Sequence, residues 1–162
     1  MAVEYTGYGL FHGDRNSDLI LSDCLSVFDY LTEHIGVQRQ DIILLGWSIG
    51  SSPACYIAKE RPEVGALLLI SPFKSLREVA RDHVGKLLSY ILAERYRNVD
   101  LIREVYCPIL IIHGLNDKMI NIDHSYTLKQ NCQNAACCTL HTPENMDHNN
   151  FNLQEDLIIP MK

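Results

Sequence analysis

No apolar run in this chain approaches the roughly 20 residues that a helix needs to cross a bilayer, which excludes a helical membrane span. The opening Met1-Ala-Val-Glu-Tyr5 has neither a basic start nor an apolar stretch, so a secretory signal is not expected. Ala2 stands where myristoylation needs glycine, and the C-terminus has no prenylation box. Basic charge is also scarce. Lys and Arg number 14 against 20 Asp and Glu, a net charge of -6. Such a chain repels phosphate backbones, which argues against nucleic acid as a partner. There are no runs of like charge, no repeats and no low-complexity stretch. With 47% hydrophobic residues, residues 1–162 can build the core of one domain, and its expected address is cytoplasmic.

The six cysteines form no recognisable framework. Cys24, Cys55 and Cys107 fall within apolar patterns, where a free thiol acts as a small hydrophobe. Without a secretory signal, reduced thiols are expected throughout. Cys137-Cys138 with His141 matches no structural zinc spacing, so no metal and no cofactor is expected.

Apolar periodicity then supplies the elements. Leu21, Cys24, Leu25, Phe28, Leu31 and Ile35 recur at helical spacing from Asp18, and Gly36 closes that helix. Ile42 to Leu45, Gly65 to Ile70 and Pro108 to Ile112 are short continuous apolar runs. Each reads as a parallel strand buried on both faces. Cys137 to Thr142 reads as a weaker fourth strand, and Val3 to Tyr5 as the tail of an earlier one. Helices are expected after the first strand to about Lys59, over about 100–105, from Asp123 to about Cys132, and from Asn149 onward. Between the second and third strands, Val79, His83, Val84, Leu87, Leu88, Ile91 and Leu92 form an apolar stripe that predicts one long helix in an excursion over about 74–105. Strands alternating with helices mean an α/β fold with right-handed crossovers. In such folds function gathers at the carboxyl ends of the strands.

Gly46-Trp-Ser-Ile-Gly50 occupies such an end, between a strand and an apolar helix. That is the context of a nucleophile elbow. A sharp turn forces Ser48 into a strained backbone conformation, leaves little room for side chains at the flanking glycines, and presents the hydroxyl at a helix start. The Ile49 amide there is expected to donate to an oxyanion. No Gly-Lys-Ser/Thr follows, which removes the phosphate-loop alternative.

A serine needs a base, and the base an orienting carboxylate, here in the order Ser, acid, His. Asp117 lies just past the third strand, in His113-Gly-Leu-Asn-Asp117, and is preferred to Asp123, which reads as a helix cap. His124, His141 and His148 follow it. His148 sits in the polar loop after the last strand, from which an imidazole can reach Ser48, and is the expected base.

Five segments carry a resemblance: Glu4-Tyr-Thr-Gly-Tyr-Gly9, Gly46-Trp-Ser-Ile-Gly50, Ile70-Ser-Pro-Phe73, Pro108-Ile-Leu-Ile-Ile-His-Gly114 with Asp117, and Asp147-His-Asn149. Together they resemble the α/β-hydrolase superfamily, and within it the α/β-hydrolase domain-containing protein 17 group. Those are membrane-associated acyl-protein thioesterases that remove palmitate from cysteine. The resemblance implies a mostly parallel sheet flanked by helices, with a short helical cap, and gives Ser48, Asp117 and His148 the triad positions. Trp47 stands where that group more often has Gln or His. The group's early strands precede the Tyr-Thr-Gly-Tyr-Gly loop. Its second oxyanion donor and its palmitoylated cysteine cluster also lie in early segments that this sequence does not include. An N-terminally truncated fold is therefore the expectation, and loss of one oxyanion donor costs about a hundred- to a thousand-fold in rate.

The expected substrate is an acylated protein or a small acyl ester. Trp47, Leu87, Leu88 and Ile91 are candidates to touch it, the last three as part of a cap that could line an acyl groove. Lys74, Arg77, Arg81 and Lys86 could turn toward anionic lipid in peripheral membrane contact. Two alternatives stay open: a catalytically incompetent hydrolase-like domain, and a serine peptidase of the same superfamily. The peptidase would need Glu78 or Asp82 to hold a peptide amine.

Overall fold

The computed structural model describes all residues except Arg15, Tyr90, Leu92, Ala93 and Lys162, and except the side chains of Leu87 and Leu88. Four strands form one sheet: β1 (Ile43–Trp47), β2 (Ala66–Ile70), β3 (Ile109–Ile112) and β4 (Cys138–His141). They pair in the order β1-β2-β3-β4, all parallel. The register sets Trp47 beside Ile70, Ile70 beside Ile112 and Ile112 beside His141. The carboxyl ends of the strands therefore form one rim.

Helix α1 (Ser17–Asp29) is capped by the Asn16 side chain, which accepts from the Asp18 amide, and runs on as a looser π turn over Tyr30–His34. Gly36 ends that stretch at φ 83°, a value that favours glycine. A 3-10 turn over Ser48–Gly50 leads into α2 (Ser51–Glu60). Next come α3 (Leu76–Ser89), the short α4 (Asn98–Leu101) and α5 (Asp123–Asn131), and a π turn over Leu153–Ile158 closes the described chain.

The main core lies on one face of the sheet. Leu44, Leu67, Leu69, Ile109 and Ile111 pack there against Ile20, Cys24 and Phe28 of α1, Cys55 and Ala58 of α2, and Leu128 of α5. All six cysteines are free, and burial pushes the Cys24 and Cys107 thiols up to about 11, which makes them inert fillers. The second face holds a smaller cluster, in which Leu68, Ile70 and Ile112 meet Met146 and Leu157.

Three expectations are overturned. First, β1 is not buried on both faces: Ile43 is 66% and Leu45 57% exposed, while Leu44 is buried. The second-face cluster reaches β1 only at Trp47, whose ring meets Phe151, and does not include Ile43 or Leu45. Second, Val3 to Tyr5 form no strand, and β1 is left as an edge of the described sheet. Third, the long helix of the excursion is broken. Gly85 adopts φ 81° and ψ 166°, which no helix contains. The expected stripe is not a packed face either, since Val84 is 51% and Ile91 82% exposed. Leu92 of that stripe lies outside the described residues.

Candidate active site

At the end of β1 the chain turns so tightly that Ser48 adopts φ 52°. That region is strained for a residue with a side chain. Gly46 makes the turn possible, because a Cβ there would stand 2.5 Å from the Gly50 carbonyl oxygen and 2.7 Å from Ser51 Cα. Gly50 is less constrained than expected, since its Cβ would meet only the Tyr5 hydroxyl, at 3.4 Å. The strained carbonyl is held from below. Ser51 Oγ donates to Ser48 O at 2.6 Å, and Asn98 Nδ2, fully buried, donates to Ser51 Oγ at 2.9 Å and to Phe73 O at 3.0 Å. The Ile49 amide belongs to the first turn that follows, whose amides have no carbonyl to bond within the helix.

Asp117 and His148 arrive from the ends of β3 and β4. Their two loops are laced together. Leu115 N donates to Pro143 O, Asn116 N to Met146 O, and Asn116 Nδ2 to Glu144 O. Gly114 permits this approach, because a Cβ on it would lie 2.0 Å from Met146 O. Asp147 braces the histidine loop by accepting from the amides of Asn149 and Asn150. The result is a continuous relay. His148 Nε2 lies 3.0 Å from Ser48 Oγ, and His148 Nδ1 lies 2.8 Å from Asp117 Oδ2. The carboxylate then fixes the ring: Nδ1 carries the proton and Nε2 is free to accept one from serine. Burial pushes the Asp117 carboxyl up, but bonds from His113, the Ile120 amide and His148 outweigh it and hold the group well below the usual carboxylate range. It is therefore an anion beside the imidazole at neutral pH.

The rival candidates lie elsewhere. Asp123 opens α5, and the helix start is capped by the Asn121 side chain, which accepts from the Asp123 amide. His124 Nδ1 accepts from the Lys74 amide at 3.0 Å, and its Nε2 faces Asp82 at 2.9 Å. His141 sits in β4, with its carbonyl accepting from His113 N.

Of the residues expected to touch substrate, Trp47 flanks the site: its ring centroid is 6.4 Å from that of His148 and 5.7 Å from that of Phe151. Ile91 is 82% exposed, so among the described residues it is not enclosed by neighbours. The Leu87 and Leu88 side chains lie outside what is described. An apolar groove of about 660 Å³ lies along β1, lined among others by Phe28, Leu31, Leu45, Trp47, Ile49 and Ile57. No helix among the described residues is long and apolar enough to cross a membrane.

Sequence reasoning missed Gly114, Ser51 and Asn98. Gly114 sits next to a strand end before the candidate acid, which is the one local signal available. The other two act through contacts between residues distant in the chain.

The profile of the prolyl oligopeptidase family matches residues 13–152. Over 135 residues the chain is 31% identical to the alpha/beta hydrolase domain-containing protein aho-3 of Caenorhabditis elegans, covering 83% of this chain and 40% of that one. It is 31% identical over 132 residues to the human alpha/beta hydrolase domain-containing protein 17B, covering 82% of this chain and 44% of the relative. The chain thus spans less than half the length of these relatives. Among solved structures, an acetyl xylan esterase from a Thermoanaerobacterium species superposes with TM-score 0.69 at 18% identity, over 96% of this chain and 58% of the esterase. An acylaminoacyl peptidase of Pyrococcus horikoshii gives 0.65 at 14% identity, over 84% of this chain and 25% of the peptidase. At these identities the structures speak for the fold alone, and that fold is the α/β-hydrolase fold.

Proposed function

Because the chain belongs to the prolyl oligopeptidase family of α/β-hydrolases, we propose that it is a serine hydrolase that cleaves acyl esters and thioesters. The relay from Ser48 through His148 to Asp117 carries this reading. Ser48 Oγ attacks the acyl carbonyl while His148 Nε2 takes its proton. The Ile49 amide donates to the oxyanion that forms. Collapse expels the alcohol or thiol, which leaves with the proton from His148, and an acyl group stays on Ser48. Water, deprotonated by the same imidazole, releases the acid. Asp117 stabilises the imidazolium in both halves.

An acyl substrate is supported by the apolar groove along β1, whose lining includes Trp47 and Ile49, the two chain neighbours of Ser48. The curated relatives named for protein 17 belong to the same resemblance. A peptidase is the reading that the family profile brings forward. It would need a free acid on the excursion to hold a peptide amine, and neither candidate is free. Glu78 faces Lys74 at 3.5 Å and Arg81 at 3.3 Å, and Asp82 faces His124. Contact with an anionic membrane would draw on Lys74, Arg77, Arg81 and Lys86, of which Lys74 and Arg81 face Glu78 and Arg77 faces Glu94.

The test is hydrolysis of three matched substrates, an acyl thioester, an oxygen ester and an aminoacyl amide, by the chain and by Ser48→Ala. Ester and thioester cleavage that vanishes in the variant is expected. Faster amide cleavage would turn the assignment to a peptidase. No turnover of any substrate by folded protein would leave a hydrolase-like domain without activity.

A further inference from the structure

His113 lies at the end of β3, fully buried, and neither attacks nor accepts a proton in the reaction just described. Both of its ring nitrogens are nevertheless committed. Nε2 is 2.9 Å from the Ile120 carbonyl oxygen, which can only accept, so Nε2 carries a hydrogen. Nδ1 is 2.6 Å from Ser125 Oγ on α5, whose hydroxyl donates to it. The same Nε2 edge lies 3.4 Å from Asp117 Oδ2, the oxygen that receives His148 Nδ1 at 2.8 Å. The Ile120 amide in turn donates to Asp117 Oδ1 at 2.8 Å, beside the Met119 amide at 2.9 Å. A chain of contacts thus runs from Ser125 through His113 and the backbone on either side of Ile120 to the carboxylate.

We propose that His113, set in one tautomer by the Ile120 carbonyl and held by Ser125, is a positioning residue that holds the Asp117 carboxylate in the orientation from which Oδ2 faces His148. This rests on the reading of Ser48, His148 and Asp117 as the working relay. The physical case is one of alternatives. A carboxylate with two free rotamers meets an imidazole only part of the time, and a displacement of 1 Å costs about a hundredfold in rate. Removing the His113 ring would leave the buried Ile120 carbonyl without its partner and would loosen Ile120, whose amide anchors Oδ1. It would also remove the positive N–H edge beside Oδ2. The charged and titratable groups around this carboxylate are His113 from β3, and His148 and Asp147 from the loop after β4. On α5, His124 turns to the Lys74 amide and to Asp82.

The test compares His113→Leu, His113→Gln and Ser125→Ala with the parent chain. Gln carries an N–H that can replace Nε2–H, whereas Leu has none. The first readout is the rate of fluorophosphonate labelling of Ser48 against pH. In His113→Leu the rate falls roughly ten- to a hundredfold, and the midpoint of its pH dependence moves down, because a displaced carboxylate stabilises the imidazolium less. His113→Gln recovers most of the rate and the parent midpoint, and Ser125→Ala falls between them. A role confined to packing would lower the yield of folded protein equally in Leu and Gln and leave the midpoint in place, which overturns the proposal.

The second readout is the low-field proton resonance of the His148 Nδ1–H···Asp117 bond. It needs no activity, so it decides the matter even where the parent chain does not label and the hydrolase reading fails. Its presence in the parent and in Gln, with its loss in Leu, supports the role of His113. An unchanged resonance in His113→Leu, or none in the parent, contradicts it. If His113→Leu does not fold, Ser125→Ala against the parent is the deciding pair, and an unaltered rate, midpoint and resonance there contradict the proposal.

Discussion

At β3 and β4 the sheet ends in loops whose polar groups answer one another. Gly114 touches Met146, Asn116 reaches Glu144, and Asp117 receives bonds from Met119, Ile120 and His148. At β1, along α3 and just after it, the same chain leaves Ile43, Leu45, Val84 and Ile91 in solvent. Both regions are apolar in sequence. What separates them is whether a second layer lies above. Met146, Leu157 and Phe151 cover β2 and β3, and over β1 that layer reaches only Trp47, against Phe151. Precise geometry has been built where the molecule is covered on both sides. The nucleophile comes from the exposed strand, so the structure braces it locally, through Ser51 and Asn98.

Substitutions in the two regions should differ accordingly. The largest effect is expected from Asp117→Asn, with a fall in ester turnover of roughly ten-thousand-fold, because the amide favours the wrong tautomer of His148. The same variant tests acid stability. A carboxyl held below its unfolded value of about 3.9 stabilises the fold fully above that pH, and the contribution is lost as pH falls through the lower folded value. Melting curves from pH 5 downward should therefore drop more steeply for the parent chain than for Asp117→Asn. Equal slopes would show that the carboxylate is not held as described.

Gly114→Ala comes next. Its new methyl would press on the Met146 carbonyl and shift the loop that carries His148, so labelling should slow about a hundredfold. A variant that labels normally would mean that the loop yields without cost. Asn98→Leu should lower stability by about 1–3 kcal/mol in urea unfolding, because Phe73 O and Ser51 lose a buried partner. At the other extreme, Ile91→Ser on the exposed excursion should change stability by no more than about 0.5 kcal/mol. A large loss there would erase the contrast between the two regions.

The relay was legible in sequence because each member sits at a strand end and carries a residue type its chemistry demands. Ser48 lies in a glycine-flanked turn, Asp117 just past an apolar run, and His148 in the loop after the last strand. The fold's strands were legible too, through their short apolar runs. The exposure of β1 was not, because a continuous apolar run reports what one strand offers and says nothing of which layer covers it. The excursion misled for a different reason. Helical spacing of apolar residues from Val79 onward outweighed one glycine, and Gly85 broke the helix by adopting a backbone conformation that spacing does not reveal. The supports of the site were hidden by distance in the chain. Asn98 meets Ser51 across 47 residues, and Gly114 meets a loop that follows another strand.

The central claim is that Ser48 is an activated nucleophile in this chain. Reaction of the purified protein with a fluorophosphonate probe, beside Ser48→Ala and His148→Ala, tests it most directly. The account expects covalent labelling of the parent, none of Ser48→Ala, and a fall of many orders of magnitude in His148→Ala. A folded parent chain that stays unlabelled, or labelling that survives loss of Ser48, would contradict it.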